Sequence, residues 1–292
     1  MDSTDAPQIL EHANKTLNFT PFDVRWIPAS ARFVLFGQSP GAKGIFKVFQ
    51  LEKGDLKEFA NFDKEFGIKD GTFKASSVAM RDVAVVDYKG RLQIFDIEYG
   101  KEKYDVQAHS KMGNSIDGIG GKGAEYGAPE LVTGAADGCV RVWDPRQEAP
   151  VVSLETAETE VVKPDCWCVS FGNSYNQEER VIASGYDNGD IKIFDLKTNC
   201  LRWDTNMKNG ICGLEFDRPD IAQNKLVATT LESKFHVFDL KTYHPERGYA
   251  CHDELAHKST IWGLRHLPQN RDIFATMGGN GALNIYKYNY PA

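Results

Sequence analysis

Three aspartates and one asparagine stand within eleven residues in the segment "GYDNGDIKIFD", which runs from Gly185 to Asp195. Carboxylate and amide oxygens can bind a divalent cation, and two carboxylates in one cleft can act as general acid and base. The spacing differs from that of a calcium loop, which places such residues at alternate positions before a glycine. Asn188-Gly189 is also a strong hairpin signal, because both residues tolerate positive φ. We therefore interpret the segment as strand, tight turn and strand.

The segment "GIGGKG" matches the glycine pattern of a dinucleotide-binding loop at Gly118, Gly120 and Gly123. That loop must join a strand to a helix. Here the glycines are followed by "AEYGAPELVTG", which leads into another strand. We expect no nucleotide and no other cofactor.

Histidines and cysteines occur close together in "CHDELAH", where His252 and His257 are five positions apart. A zinc-protease helix needs two histidines four positions apart, with glutamate after the first. Cys166 and Cys168 form a Cys-x-Cys pair, which differs from the Cys-x-x-Cys pairs of zinc knuckles. The spacings predict no metal site, and no nucleophile motif such as Gly-x-Ser-x-Gly is present. We expect a protein that is not an enzyme.

The composition is that of a soluble globular chain, with 292 residues, 41% hydrophobic and 26% charged. The net charge of −7 argues against a duplex nucleic-acid surface but leaves room for a local basic patch. The N-terminal "MDSTDAPQILEHANK" lacks the features of a signal peptide, and no apolar run is long enough to cross a bilayer. The expected location is the cytoplasm, without membrane or nucleic-acid partners.

A repeat of 44–51 residues runs through the chain. Strand-like endings recur as "KVFQ", "QIFD", "RVWD", "KIFD", "HVFD" and "NIYK". A second series, "FDVRW", "KDGTF", "IDGIG", "WCVSF", "CGLEF" and "WGLRH", starts at 22, 69, 116, 167, 212 and 262. Units of this length with several short strands are typical of propeller blades.

These repeats predict an all-β fold, a β-propeller with six repeats in one domain covering residues 1–292. A single blade cannot bury its own faces, so the blades must stack around an axis. The approximate units are 18–51, 66–98, 108–146, 162–197, 207–241 and 256–290.

The third unit, "GAPELVTGAADGCVRVWDPRQ", resembles a WD repeat. The resemblance implies a hydrogen-bonded tetrad, formed by His109, Thr133, Asp137 and Trp143. The sixth unit keeps two of the four residue types but has asparagine in place of aspartate and tyrosine in place of tryptophan. We expect the other blades to depend more on apolar packing.

A closer resemblance is to the WD-repeat factors that assist the assembly of axonemal dyneins. It rests on "DCWCVSFGNSYNQEERVIASGYDNGDIKIFDLK", "NGICGLEFDRPD" and "AHKSTIWGLRHLPQN". The resemblance implies a cytoplasmic scaffold with dynein chains as clients. It also implies a co-chaperone complex of RuvB-like ATPases, a tetratricopeptide-repeat adaptor and prefoldin-like subunits as partner.

The resemblance also implies a seven-bladed ring, of which six repeats would be an incomplete part. The alternative is a six-bladed ring closed by "PQILEH" from the N-terminal region beside "ALNIYKY".

Aromatic residues at equivalent positions near the blade starts are candidate protein contacts, because tryptophan is frequent in binding hot spots. These are Phe22, Trp167 and Trp262, with Asp165, Lys258 and Arg265 as polar neighbours. The alternative is that the rings pack between blades, as most large aromatics do. The flank "FGNSYNQEER" is a further candidate contact, because the blade pattern does not require it.

The "VWDPRQ" segment offers a second function. Its Trp-Asp-x-Arg pattern resembles the box with which some WD-repeat proteins dock onto a cullin-type ubiquitin ligase, as substrate receptors. Asp144 and Arg146 would make that contact. The alternative is that Asp144 ends a strand and the next residues form a turn.

Overall fold

The computed structural model describes residues 9–121, 128–155, 162–172, 176, 178–218 and 221–290. Within them, six antiparallel sheets follow one another along the chain. Five sheets have four strands and the sixth has three. We name these sheets blades 1 to 6.

Blades 1 to 3 each consist of four strands that follow one another in chain order. Blade 1 contains β1 (Thr20–Trp26), β2 (Arg32–Gln38), β3 (Gly44–Glu52) and β4 (Asp55–Lys64). Blade 2 contains β5 (Ile68–Thr72), β6 (Val83–Asp87), β7 (Arg91–Phe95) and β8 (Glu102–Gln107). Blade 3 contains β9 (Gly113–Ile119), β10 (Glu130–Ala135), β11 (Val140–Trp143) and β12 (Val152–Leu154).

The strands of blades 4 to 6 continue the series. Blade 4 contains β13 (Cys166–Gly172), β14 (Val181–Tyr186), β15 (Asp190–Asp195) and β16 (Cys200–Asn206). Blade 5 contains β17 (Ile211–Phe216), β18 (Lys225–Thr230), β19 (Lys234–His244) and β20 (Gly248–Leu255). Blade 6 contains β21 (Ile261–Leu267), β22 (Asn270–Gly278) and β23 (Leu283–Lys287).

The turn between the second and third strands shows why the sequence forms these hairpins. In blade 4, Gly189 has φ of 91°, a conformation that favours glycine. A side chain there would also meet the backbone N of Lys208 and Asn209 at 2.9 Å. The three aspartates of the segment from Gly185 to Asp195 thus belong to a hairpin, since β14 pairs with β15 around this turn.

Blades pack face to face, and five hydrophobic clusters each join two successive blades. Between blades 4 and 5, for example, Ile191 and Ile193 pack with Ile211 and Leu214. Burying each such side chain stabilises the fold by roughly 1.5–3 kcal/mol. The first strands β1, β5, β9, β13, β17 and β21 lie side by side in sequence around the axis. The predicted all-β propeller of six repeats is therefore confirmed.

The ring is open between blade 6 and blade 1. Among the described strands, no pair from these two blades packs as closely as the first strands of successive blades do. Both faces that border the opening are apolar and exposed, with Trp26 at 59% and Ile285 at 53%. The described part of the N-terminal segment, residues 9–18, forms no strand beside β23. The six-bladed closure is thus not formed, and a seventh blade stays a prediction.

In one blade, the register of the first strand differs from the register that the sequence pattern predicted. The predicted first-strand starts at 22, 69, 167, 212 and 262 are structurally equivalent, but the equivalent residue of blade 3 is Asn114. The start at Ile116 was wrong by two residues, because "IDGIG" matches "KDGTF" in letters but not in strand register. The fourth strands also extend beyond the predicted units. Among the described residues, no helix is long and apolar enough to cross a membrane.

Candidate protein-binding site

Every first strand carries a β-bulge near its start, and the bulged residue stands at the mouth of the central channel. The register skips one residue in each pairing with the second strand. The bulged residues are Phe22, Lys69, Asn114, Trp167, Cys212 and Trp262. A bulge turns its extra side chain out of the regular alternation of the strand, and the six bulges lie at equivalent positions of the six blades. The three predicted aromatics thus occupy equivalent positions in blades 1, 4 and 6.

The aromatics differ in what covers them. The ring of Phe22 packs 5.5 Å from that of Tyr88 in blade 2. Trp167 is half-buried, and both it and Leu231 lie against Gly210 of blade 5. Trp262 is 60% exposed, because its blade has no following neighbour among the described strands. Phe22 and Trp167 therefore pack between blades, whereas Trp262 is exposed on the side where no described blade follows, and its contact with a partner stays a prediction.

The predicted polar neighbours are spread around the same mouth. Lys258 and Arg265 are exposed, and the guanidinium of Arg265 lies 3.6 Å from Glu215. Burial raises the pKa of the half-buried Asp165 above its ordinary value, and the charge of Asp187 adds to this effect. The structure brings Arg265 into the channel and leaves Lys258 and Asp165 in the connections between blades.

Carboxylates on the first strands join the blades, a role that the sequence analysis did not predict for any of them. At four joints a carboxylate on a first strand accepts a backbone N–H from the next blade, at 2.7–3.3 Å. These bonds join Asp23 to Gly71, Asp70 to Ile116, Asp117 to Phe171 and Glu215 to His266. Between blades 4 and 5 the Cys168 thiol lies 3.5 Å from the carbonyl oxygen of Ile211 instead. The recurring aspartate in "FDVRW" and "KDGTF" was a visible signal for the first two joints.

The joint between blades 1 and 2 contains two carboxylates and one cation. Arg25 donates to Asp70 at 2.7 Å and lies 2.8 Å from Asp23. Burial and the negative charge of Asp70 raise the pKa of Asp23 to about 7, although Arg25 acts in the opposite direction. Burial also acts to raise the pKa of Asp70, but Arg25 and Arg265 outweigh it and the pKa is lowered. Asp23 therefore binds a proton more readily than Asp70 does.

The joint between blades 5 and 6 has one carboxylate facing cations. Glu215 accepts the backbone N–H of His266 at 2.7 Å and contacts the Nδ1 of its ring at 3.1 Å. Burial would raise the pKa of Glu215, but His266 and Arg265 lower it to about 2. This carboxylate is therefore ionised at all physiological pH values.

The tetrad residues of blade 3 form one buried hydrogen-bonded chain. His109 Nδ1 lies 3.1 Å from Asp137, and its Nε2 lies 2.7 Å from the Thr133 hydroxyl. Trp143 Nε1–H donates to the same hydroxyl oxygen at 2.9 Å. Burial would raise the pKa of Asp137, but the His109 hydrogen bond and two backbone N–H groups hold it well below its usual range. This network fixes the connection from blade 2 against the turn of blade 3.

Blade 6 has only part of this chain among its described residues. His257 Nε2 lies 2.7 Å from the Thr276 hydroxyl, but the buried His257 Nδ1 has no hydrogen-bond partner there. Asn280 stands in the turn and accepts a hydrogen bond from the N–H of Ala282. Tyr286 replaces the tryptophan, and its hydroxyl contacts Asn284 instead.

Asp144 and Arg146 form an ion pair within their own turn, at 2.5 Å. The Arg146 hydrogen bond is the main reason why the pKa of Asp144 is lowered. The turns of three other blades use an aspartate at this position in the same way, through bonds to following N–H groups. These are Asp96, Asp195 and Asp239. The pair lies away from the bulges, and its geometry favours turn formation; ligase docking stays a prediction.

The remaining motifs show no assembled reactive group in the described part of the chain. Gly118 lies within β9, while Lys122 and Gly123 are outside the described residues. His252 is exposed on β20, whereas His257 is buried. No three histidine, cysteine or acidic side chains among the described residues are placed to hold a metal ion. In "FGNSYNQEER", residues 173–175 and 177 lie outside the described residues.

Comparison with a family model and with a solved structure identifies the repeat and the fold. The model of the WD domain, G-beta repeat matches residues 121–144, in blade 3. A crystal structure of the computationally designed Ika8 protein superposes with a TM-score of 0.60 and 16% identity. It covers 91% of this chain and 70% of that protein, and this likeness concerns the fold alone.

Full-length similarity is found to curated proteins named dynein axonemal assembly factor 10. The human and bovine proteins are each 52% identical over 100% of this chain and 82% of their own length. The protein of Chlamydomonas reinhardtii is 49% identical over 100% of this chain and 82% of its own length. With an identity of this size along the whole propeller, the chain belongs to the dynein axonemal assembly factor 10 family.

Proposed function

We propose that this chain is a non-enzymatic scaffold that assists the assembly of axonemal dyneins in the cytoplasm. The observation that carries the proposal is the 52% identity to the human assembly factor over the entire chain. The aligned length includes the loops and the channel residues as well as the strands, so the similarity extends beyond the repeat pattern.

A propeller suits a scaffold for a physical reason. Its blades are fixed by the clusters between them, and loops on such a frame can carry binding residues without disturbing the core. Binding surfaces on such a frame are already ordered, which lowers the entropy cost of association. The proposed partners are dynein chains as clients and a co-chaperone complex of RuvB-like ATPases, a tetratricopeptide-repeat adaptor and prefoldin-like subunits.

The test of function is rescue. Expression of this chain in Chlamydomonas reinhardtii cells that lack their own 49% identical relative should restore axonemal dynein chains, measured by immunoblot of isolated axonemes. Cells that make the folded chain at the level of the missing relative and yet lack axonemal dynein would overturn the proposal.

The test of contact compares two tryptophans of equal exposure. Trp262 stands at the channel mouth and Trp26 on the open face of blade 1, at 60% and 59% exposure. If the mouth contacts a partner, Trp262→Ala should reduce capture of dynein chains from ciliated-cell extract at least tenfold. Trp26→Ala is the matched control and should leave capture within twofold. Equal losses for both variants would remove the mouth from the partner surface.

A further inference from the structure

Four lysines on one face of the propeller form no ion pair with the described residues, although Lys111 and Lys163 act electrostatically on Asp165 and Glu155 at longer range. The face carries the turns between second and third strands, together with the connections between blades, since these meet at the bulged ends of the first strands. We call Lys69, Lys89, Lys111 and Lys163 the lysine surface. Among the described residues, none of their ammonium groups forms an ion pair. All but the half-buried Lys69 are exposed.

The first part of the lysine surface lies over aromatic rings. The ammonium of Lys69 is 5.2 Å from the ring centre of Phe22, which packs on Tyr88. The ammonium of Lys89 is 5.3 Å from the ring centre of Phe66. Aromatic ring faces attract these ammonium groups without neutralising their charge.

The second part follows directly, because two loops are in contact. The Gln107 side-chain amide donates to the carbonyl oxygens of Lys89 and His109, both at 2.7 Å. A side chain on Gly90 would clash with the carbonyl oxygen of Lys111. The turn that carries Lys89 therefore lies against the connection that carries Lys111.

The third part is a cavity of about 500 Å³ with Lys111 and Lys163 in its lining. Asp137 and Glu155 also line it, and both are hydrogen-bonded within the protein. The Asp137 oxygens accept from His109, Ser110 and Cys139, and Glu155 pairs with Arg141 at 3.2 Å.

The sign of the charge is unusual for this protein. The chain carries a net charge of −7, yet the four lysines of this surface have no ion-pair partner among the described residues. Adjacent like charges repel each other in the free protein, and an anionic partner converts that repulsion into attraction. The surface ends at blade 4, where Asp165 and Asp187 reverse the sign.

We propose that the lysine surface binds an acidic segment of a protein partner. The inference rests on the proposed scaffold function and adds the chemistry of one partner. A protein segment fits better than duplex nucleic acid, because four lysines on an acidic protein supply too small a basic area for a phosphate backbone.

The probe is a fluorescent peptide of alternating glutamate and alanine, titrated with the full chain and followed by anisotropy. A peptide with glutamine in place of glutamate measures the contribution of charge. We expect binding of the acidic peptide alone, weakening with added salt. The triple variant K89E/K111E/K163E should lose at least tenfold in affinity.

The matched control reverses three exposed lysines beside turns of the opposite face, K53E/K101E/K241E. It changes the net charge equally and should keep affinity within twofold. Equal loss in both variants, or no binding of the acidic peptide at low salt, would overturn the inference. Tighter binding of a single-stranded oligothymidine than of the peptide would also overturn it, in favour of nucleic acid.

Rescue of axonemal dynein separates this inference from the proposed function. If the peptide does not bind but rescue succeeds, the lysine surface is wrong and the scaffold function stands. If the peptide binds and K89E/K111E/K163E still rescues fully, the surface serves no dynein partner and the inference fails as stated.

Discussion

Ile193 in blade 4 and Ile285 in blade 6 occupy the same position of the third strand, opposite Ala183 and Ala275. Ile193 is 2% exposed and Ile285 is 53% exposed. The second and third strands pair alike in the two blades, but Ile193 also has Trp203 of a fourth strand opposite it and blade 5 over it. Ile285 has neither a fourth strand beside it nor a following blade among the described residues. Burial of this position therefore depends on the fourth strand of its own blade and on the next blade together.

The polar networks of blades 3 and 6 differ in the same direction. Thr133 joins His109 and Trp143, while Thr276 joins His257 alone among the described residues. Blade 6 thus lacks a described neighbour on one face, and among the described residues it has one of the three tetrad contacts that blade 3 has. We expect blade 6 to open first when the protein is destabilised.

The largest expected effect comes from truncating the two isoleucines. Ile193→Ala should cost about 2–5 kcal/mol of unfolding free energy, because it leaves a cavity between two blades. Ile285→Ala should change it by less than about 0.5 kcal/mol, because the side chain is in water. Urea unfolding followed by tryptophan fluorescence measures both. Similar losses at the two positions would show that the face of blade 6 is covered in solution.

Removing the threonine hydroxyls should have the next largest effect. Thr133→Val leaves the Trp143 N–H and a His109 nitrogen buried without partners, at a cost of about 2–4 kcal/mol. Thr276→Val removes the partner of one histidine nitrogen, the Nε2 of His257, at a cost of about 1–2 kcal/mol. The same urea experiment compares the two variants, and equal costs would mean that the tryptophan bond contributes nothing.

The blade 3 network should also depend on pH. The folded pKa of Asp137 lies below its ordinary value near 3.8, so the folded state binds this proton less readily than the unfolded chain does. The stabilisation is complete above about pH 4 and is lost as pH falls towards the folded pKa. Asp137→Asn should cost about 1–3 kcal/mol at pH 7. The difference from wild type should shrink as the pH falls from about 4 to about 2, and a difference independent of pH would contradict the assignment.

Sequence patterns predicted what repeats within each blade. The aromatic of each third strand and five of the six first-strand starts coincide with equivalent structural positions, because local strand chemistry recurs in every unit. The register in blade 3 was wrong, since the bulge at Asn114 leaves no letter pattern. A β-bulge is a local backbone conformation that many residue types can adopt.

Contacts between blades could not be predicted in the same way. Asp23 and Asp70 are far apart in sequence, and their meeting at one arginine depends on how two sheets stack around the axis. The exposure of Trp262 likewise depends on a neighbour and not on its own segment. Sequence spacing predicts the strands within one blade, whereas the candidate site is formed by residues of different blades.

The smallest expected effect is a gain, and it restores to blade 6 what blade 3 has. His257 Nδ1 and Asn280 Oδ1 both lie directly beside the point where a side chain on Gly278 would begin. Asn280→Asp places an ionised acceptor there and should add about 1 kcal/mol of stability. Asn199→Asp, in a turn of blade 4, changes the charge equally and should give no gain. The gain should also vanish in a His257→Ala background, because the added carboxylate acts through that ring. A gain that survives without His257 would mean that the substitution improves the turn alone, and that the incomplete tetrad is not what weakens blade 6.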